Sequence, residues 1–157
     1  SVDTGTWFRQ VGQKIESWVH TSKPFEPHAP EERMTNRLAN EIFELDRCVE
    51  CGCCVAACGT ALMRNDFIGA TSINRLARFY IDPRDERTSD SFYELIGDDS
   101  GVFGCMGLLA CEDVCPKRIP LAAHGHAGIR TRHLAQRNPQ KVSRLQRKLQ
   151  LLKLYWL

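Results

Sequence analysis

Apolar residues recur along this chain mainly at helical spacing. From 4 to 20, Trp7, Val11, Ile15, Trp18 and Val19 fall on one face, predicting a helix that Asp3 or Thr4 can cap. Lys23 to Pro30 then carries three prolines in eight residues, a density no helix interior tolerates, and is expected to be a linker. Leu38, Ile42, Phe43 and Leu45 predict a short helix leading into a first group of cysteines, which is expected to occupy a loop and a helical turn. Phe67 to Ile81, with Ile73, Leu76, Ala77 and Tyr80 in register, predicts a helix that stops before Pro83, and a shorter one fits Phe92 to Ile96. Gly97 to Gly104 is rich in turn formers. A second cysteine group then opens a helical stretch closed by Pro116, and Pro120 starts another helix. Asn138-Pro139 supplies an N-cap and first helical position for a last helix, with Val142, Leu145, Leu149, Leu152 and Trp156 on one stripe. No segment sustains the alternation of a half-buried strand, so the expected fold class is all-α.

Composition adds bounds. At 157 residues, 43% hydrophobic and 25% charged, the chain has the size and make-up of one ordinary domain. No apolar run approaches the roughly 20 residues of a spanning helix. The opening SVDTGTWFRQ lacks the basic-then-apolar pattern of a secretory signal, and a reducing compartment is expected. Charge is distributed unevenly. Residues 114–157 hold ten Lys or Arg and no acid, whereas residues 1–113 hold eleven basic against nineteen acidic residues, a net −8. A basic end suits a nucleic acid or an anionic membrane surface. Tyr155 and Trp156 are the tail's only stacking residues, and its apolar stripe fits an interfacial helix better than nucleic-acid binding.

The eight cysteines carry the chemistry. Disulfides, zinc and iron-sulfur clusters all use cysteine, and spacing separates them. Cys48, Cys51, Cys54 and Cys58 form C-x2-C-x2-C-x3-C, a run whose first three thiolates reach one cluster while the fourth reaches another. Structural zinc prefers two separated C-x2-C knuckles, and thiols packed within one or two turns pair poorly as disulfides. Cys105, Cys111 and Cys115, followed by Pro116, repeat the run with one gap: Leu108 stands where its second cysteine would fall. With the crossover usual in such pairs, Cys48, Cys51, Cys54 and Cys115 are expected to hold a 4Fe-4S cluster. Cys58, Cys105 and Cys111 are left to hold a second cluster with three protein ligands, most simply 3Fe-4S, with its open corner toward Leu108. Cys53 is left over and is expected to be a small buried apolar residue. Met106, Leu108 and Leu109 suit either a dry cluster wall or plain core.

ELDRCVECGCCVAACGT (44–60), NDFIGATSINRLARFYIDPRDERT (65–88) and DDSGVFGCMGLLACEDVCPK (98–117) resemble the iron-sulfur subunit of quinol:fumarate reductases and succinate dehydrogenases, specifically its C-terminal α-helical ferredoxin domain. The resemblance covers residues 1–135 and is greatest to fumarate reductases anchored by a dihaem cytochrome b. It implies a wire for single electrons between a flavoprotein carrying FAD and a membrane cytochrome b with haem b and quinone. It further implies a 2Fe-2S domain, on this chain's missing N-terminal part or on a separate chain, and a peripheral place on the cytoplasmic face of the inner membrane. No catalytic residue is expected here, because organic-substrate chemistry lies on another subunit. The chain would divide into an opening helix and Pro-rich linker (1–30), the dicluster domain (31–137) and a basic amphipathic helix (138–157).

Three departures stand out. No C-x4-C-x2-C run of a 2Fe-2S domain is present, and Gly59 replaces the proline that usually follows the fourth cysteine. Met106 stands where succinate dehydrogenases with a cluster-proximal quinone pocket carry histidine, and no tryptophan lies between Trp18 and Trp156, which favours a haem in the anchor as the next carrier. His124, His126 and His133 lack the i, i+4 pairing of a helical metal site and are expected at a surface. Two rivals remain: a stand-alone carrier with two 4Fe-4S clusters resembling heterodisulfide reductase subunits, which would keep a cysteine at 108, and a zinc-stabilised interaction module.

Overall fold

The computed structural model describes residues 5–24, 26–30 and 32–122. The predicted helix over 138–157, the three C-terminal histidines and the Asp3 or Thr4 cap lie outside them. Among the described residues seven α-helices follow in order: α1 (Gly5–Lys14), α2 (Asn36–Asp46), α3 (Cys53–Ala56), α4 (Gly59–Met63), α5 (Gly69–Ile81), α6 (Ser89–Ile96) and α7 (Ala110–Asp113). Among the described residues there is no strand, and the fold is all-α. The helix expected from Pro120 is entered at Leu121 and Ala122, the last two described residues.

Helix α5 is the hub, packing against α2, α3 and α6. Its apolar residues Ile73, Leu76, Ala77 and Phe79 are all buried, joined in one core by Ile15, Leu45, Phe67, Phe92, Ile96 and Val102. Each large side chain among them contributes about 1.5–3 kcal/mol of burial. Buried Asn74 donates from Nδ2 to the Leu45 carbonyl at 2.8 Å, satisfying one of the orphan acceptors in the last turn of α2. The starts of α2 and α6 are capped by Thr35, which accepts from the Leu38 N–H, and Thr88, which accepts from the Ser91 N–H. In the turn-rich stretch before the second cysteine group, a Cβ on Gly101 would sit 2.0 Å from the Ile96 carbonyl oxygen, so only glycine allows the Val102 N–H to bond that carbonyl at 2.8 Å.

The expected helix over 4–20 is shorter than its apolar pattern. It ends at Lys14, and Glu16 adopts φ +47°. Tertiary bonds explain the difference. The Arg87 guanidinium donates to the carbonyls of Glu16 and Trp18, the His20 N–H donates to Asp85, and the Glu86 N–H donates to the His20 carbonyl. Arg87 and Asp85 form a nearly solvent-free pair, and Arg87 also stacks over Phe92 at 4.2 Å. The 85–87 loop thus takes the backbone groups that another helical turn would have used, and Ile15 remains fully buried.

Candidate metal centres

The two cysteine groups share one backbone design at an offset of 57 positions, from Cys48 to Cys105. Two residues after each first cysteine the chain is left-handed, at Glu50 (φ +53°) and Gly107 (φ +68°); it is so again at Gly52 (φ +78°) and Leu109 (φ +62°). A four-residue helix then starts in each, α3 and α7. The Gly52 carbonyl accepts from Val55 and Ala56, and the Leu109 carbonyl from Glu112 and Asp113. Ala57 N–H to Cys53, and Cys58 N–H to Val55, recur as Val114 to Ala110 and Cys115 to Glu112. Leu108 therefore occupies the backbone position of Cys51.

Two small cavities lie between these loops, of about 30 and 20 Å³. Cys58, Cys105 and Cys111 line one, with Leu108 and Gly59 beside them. Cys48, Cys51, Cys54 and Cys115 line the other, walled by Ile119 and Leu121. Each loop sends its fourth cysteine to the cavity of the other. The first turn of α5 stands between the two, with Ala70 on one wall and Thr71 on the other, so the positive end of its dipole faces both sets of thiols.

A donor set made only of thiols, three in one apolar-walled cavity and four in the next, fits iron-sulfur clusters. Among the described residues no three His, Cys, Asp or Glu side chains converge at the spacing of a single ion. A cluster holds its cysteine sulfurs apart by the breadth of its own iron-sulfur frame, and cavities ringed by thiols suit that spacing better than a zinc knuckle. All eight thiols are free. Burial pushes the Cys54 thiol up to about 12, helped by neighbouring Cys48, Cys111, Cys51 and Cys115. Burial likewise raises Cys111, with Cys105 and Cys58 adding to it. Bringing several thiolates into so small a dry space is unfavourable without a cation to share their charge, so iron binding and proton release are linked. Two sulfurs also accept hydrogen bonds, Cys105 from the Gly107 N–H (3.4 Å) and Cys115 from the Ile119 N–H (3.5 Å), and Cys48 Sγ lies 3.5 Å from Thr71 Oγ1, a pair in which either atom can donate while the thiol keeps its proton.

One expectation needs correction and another is narrowed. Cys53 is exposed, not buried: consecutive helical residues point about 100° apart, and α3 turns Cys54 inward and Cys53 out. A contact with Cys51 raises its thiol. Of the two readings for Met106, Leu108 and Leu109, plain core is excluded: they are 54%, 66% and 51% exposed and form an apolar collar on the three-thiol cavity. Gly59 also acquires a reason. A Cβ there would lie 3.1 Å from Leu108 Cδ1, so the missing proline leaves room for the leucine. Sequence reasoning missed Thr71, which sits between Ala70 and Ser72 on α5 and belongs to no ligand motif.

Residues 44–119 match the family described as a 4Fe-4S dicluster domain. The fold and the paired thiol cavities accordingly define an all-α dicluster iron-sulfur protein. Over 121 residues the chain is 62% identical to the fumarate reductase iron-sulfur subunit of Wolinella succinogenes, covering 77% of this chain and 51% of that protein. It is 26% identical over 120 residues to the succinate dehydrogenase iron-sulfur subunit of Bacillus subtilis (76% and 47%), and 28% identical over 103 residues to the fumarate reductase iron-sulfur subunit of Haemophilus influenzae (62% and 40%). The chain is similar to this family of iron-sulfur subunits, and spans about half the length of the curated relatives it matches.

Proposed function

We propose that this chain is the dicluster half of an electron-transfer subunit in a membrane-bound quinol:fumarate reductase or succinate:quinone oxidoreductase. The observation that carries the reading is the division of seven thiols into four around one cavity and three around the other. In it, Cys48, Cys51, Cys54 and Cys115 hold a 4Fe-4S cluster, and Cys58, Cys105 and Cys111 hold a 3Fe-4S cluster. Bound there, the clusters supply one-electron redox chemistry. The chain's own part is to fix the thiolates, line the three-thiol cavity with mostly apolar side chains, and hold the two sites on either side of one helix turn. No catalytic residue is assigned, since substrate chemistry falls to a flavoprotein subunit carrying FAD.

The apolar collar of Met106, Leu108 and Leu109 supports docking of the three-thiol side on a membrane-anchor cytochrome b with its haem b and quinone. A 2Fe-2S domain, in the same or a separate chain, completes the relay toward the flavin. The basic stretch 138–157 adds attraction to an anionic leaflet, consistent with a peripheral place on the cytoplasmic face of the inner membrane. Among the described residues no helix is long and apolar enough to cross a membrane. Residues 1–30, 31–137 and 138–157 serve as lead-in, cluster domain and basic membrane-directed stretch.

Iron analysis with electron paramagnetic resonance of the oxidised holoprotein tests the reading. About seven irons per chain and a sharp 3Fe-4S resonance are expected. About eight irons and a silent oxidised spectrum would instead indicate two 4Fe-4S clusters, and a colourless zinc protein would end the electron-transfer reading.

A further inference from the structure

Resting on the four-thiol assignment just given, we propose that Thr71 sets the reduction potential of the cluster at Cys48, Cys51, Cys54 and Cys115 by donating its hydroxyl hydrogen to the Cys48 thiolate. A helical threonine ordinarily satisfies its hydroxyl within its own helix. Its hydroxyl bonds back to a carbonyl three or four residues earlier. Ser72, the next residue, does so, donating to the Ile68 carbonyl at 2.5 Å. Thr71 instead places Oγ1 3.5 Å from Cys48 Sγ, an ordinary length for a bond to sulfur. It is only 5% exposed and lines the four-thiol cavity, so bulk water is a poor alternative partner. A ligating Cys48 has no proton, which leaves Thr71 as the donor.

The consequence for potential follows from charge. One-electron reduction adds negative charge to the cluster and its sulfurs; no covalent bond is made or broken, and the proton stays on Thr71 Oγ1. A donor aimed at the thiolate stabilises the reduced form more than the oxidised one, raising the potential. The site is asymmetric in this respect. The sulfur bonds described at Cys105 and Cys115 come from backbone N–H groups, which side-chain substitution leaves in place, whereas Cys48 relies on a replaceable hydroxyl. Thr71 is thus a positioning and tuning residue, one side chain at which evolution can adjust the first site without touching a ligand.

The test is a potentiometric titration of the holo complex, following each cluster by electron paramagnetic resonance in wild type, Thr71→Val and Thr71→Ser. Thr71→Val keeps the shape and removes the donor; it is expected to shift the redox equilibrium of the four-thiol cluster about tenfold toward the oxidised form, about 59 mV for one electron. Thr71→Ser restores the donor and is expected to stay within about twofold of wild type. Iron content and the three-thiol cluster's potential should not move. A fully loaded Thr71→Val within twofold of wild type overturns the proposal, as does a Thr71→Ser that falls as far as Thr71→Val, because the effect would then be packing. Should Thr71→Val fail to load iron, Thr71→Ala is read by the same two criteria. Failure of the underlying ligand assignment looks different: Cys48→Ser would then leave both cluster signals intact.

Discussion

The loops at 48–58 and 105–115 have the same backbone and different chemistry, which separates what a cysteine loop needs for shape from what it needs for ligation. Both turn left-handed twice, both start a four-residue helix, and both deliver a fourth thiol across to the other's cavity. The first has Cys51 at its third residue after the opening turn begins; the second has Leu108, and its fold is undisturbed. Its shape therefore does not depend on the missing thiol. The cost of the second loop is visible elsewhere: Leu109 takes the left-handed conformation that glycine adopts freely at 52, and Gly59 yields space to Leu108.

The most drastic way to break the comparison is to remove the cysteines that cross over. Cys58→Ser lies in the first loop, yet it is expected to strip the three-thiol cavity and leave about four irons; Cys115→Ser lies in the second, yet should strip the four-thiol cavity and leave about three. Iron analysis and electron paramagnetic resonance of the two variants decide this, and loss in the same-loop cavity instead would refute the crossover. Leu108→Cys makes the loops alike. It supplies a fourth thiolate, so the three-iron cluster should become 4Fe-4S and the oxidised 3Fe-4S resonance should vanish. Added negative charge should lower its potential; each 59 mV is about a tenfold change in the redox equilibrium of a one-electron carrier, and quinol-linked turnover should fall. A persisting resonance in iron-loaded protein would show that position 108 does not reach the open corner.

Leu109→Gly equalises the backbones instead. Relief of left-handed strain is worth about 1–2 kcal/mol, partly offset by roughly 0.5–1 kcal/mol of glycine's greater conformational entropy in the unfolded chain, so a small gain in denaturant midpoint is expected. A clear loss would mean that Leu109's contact with the cavity outweighs its strain. The smallest effect belongs to Cys53→Ser, which should leave iron content and both spectra unchanged because the exposed thiol lies outside both cavity linings.

Much of this was legible from the order of residues alone. Helix α5 announces itself through Ile73, Leu76 and Ala77, and the one-gap likeness of the two cysteine groups follows from spacing. Such features are local: a 3.6-residue period and loops closed by hydrogen bonds within ten residues carry their own signals. Where a feature depended on partners distant in sequence, local pattern misled. Val19 continues the apolar period of α1, but Arg87, Asp85 and Glu86 claim the backbone beyond Lys14. Cys53 has a residue type usually buried, yet α3 can turn only one of two adjacent thiols inward. Helix and cysteine spacing were thus determined by the sequence itself. Which thiols share a cavity, that Thr71 reaches Cys48, and that Leu108 ends in an exposed collar were decided only when α5 packed between the two loops, because through-space neighbours far apart in the chain leave no periodic trace along it.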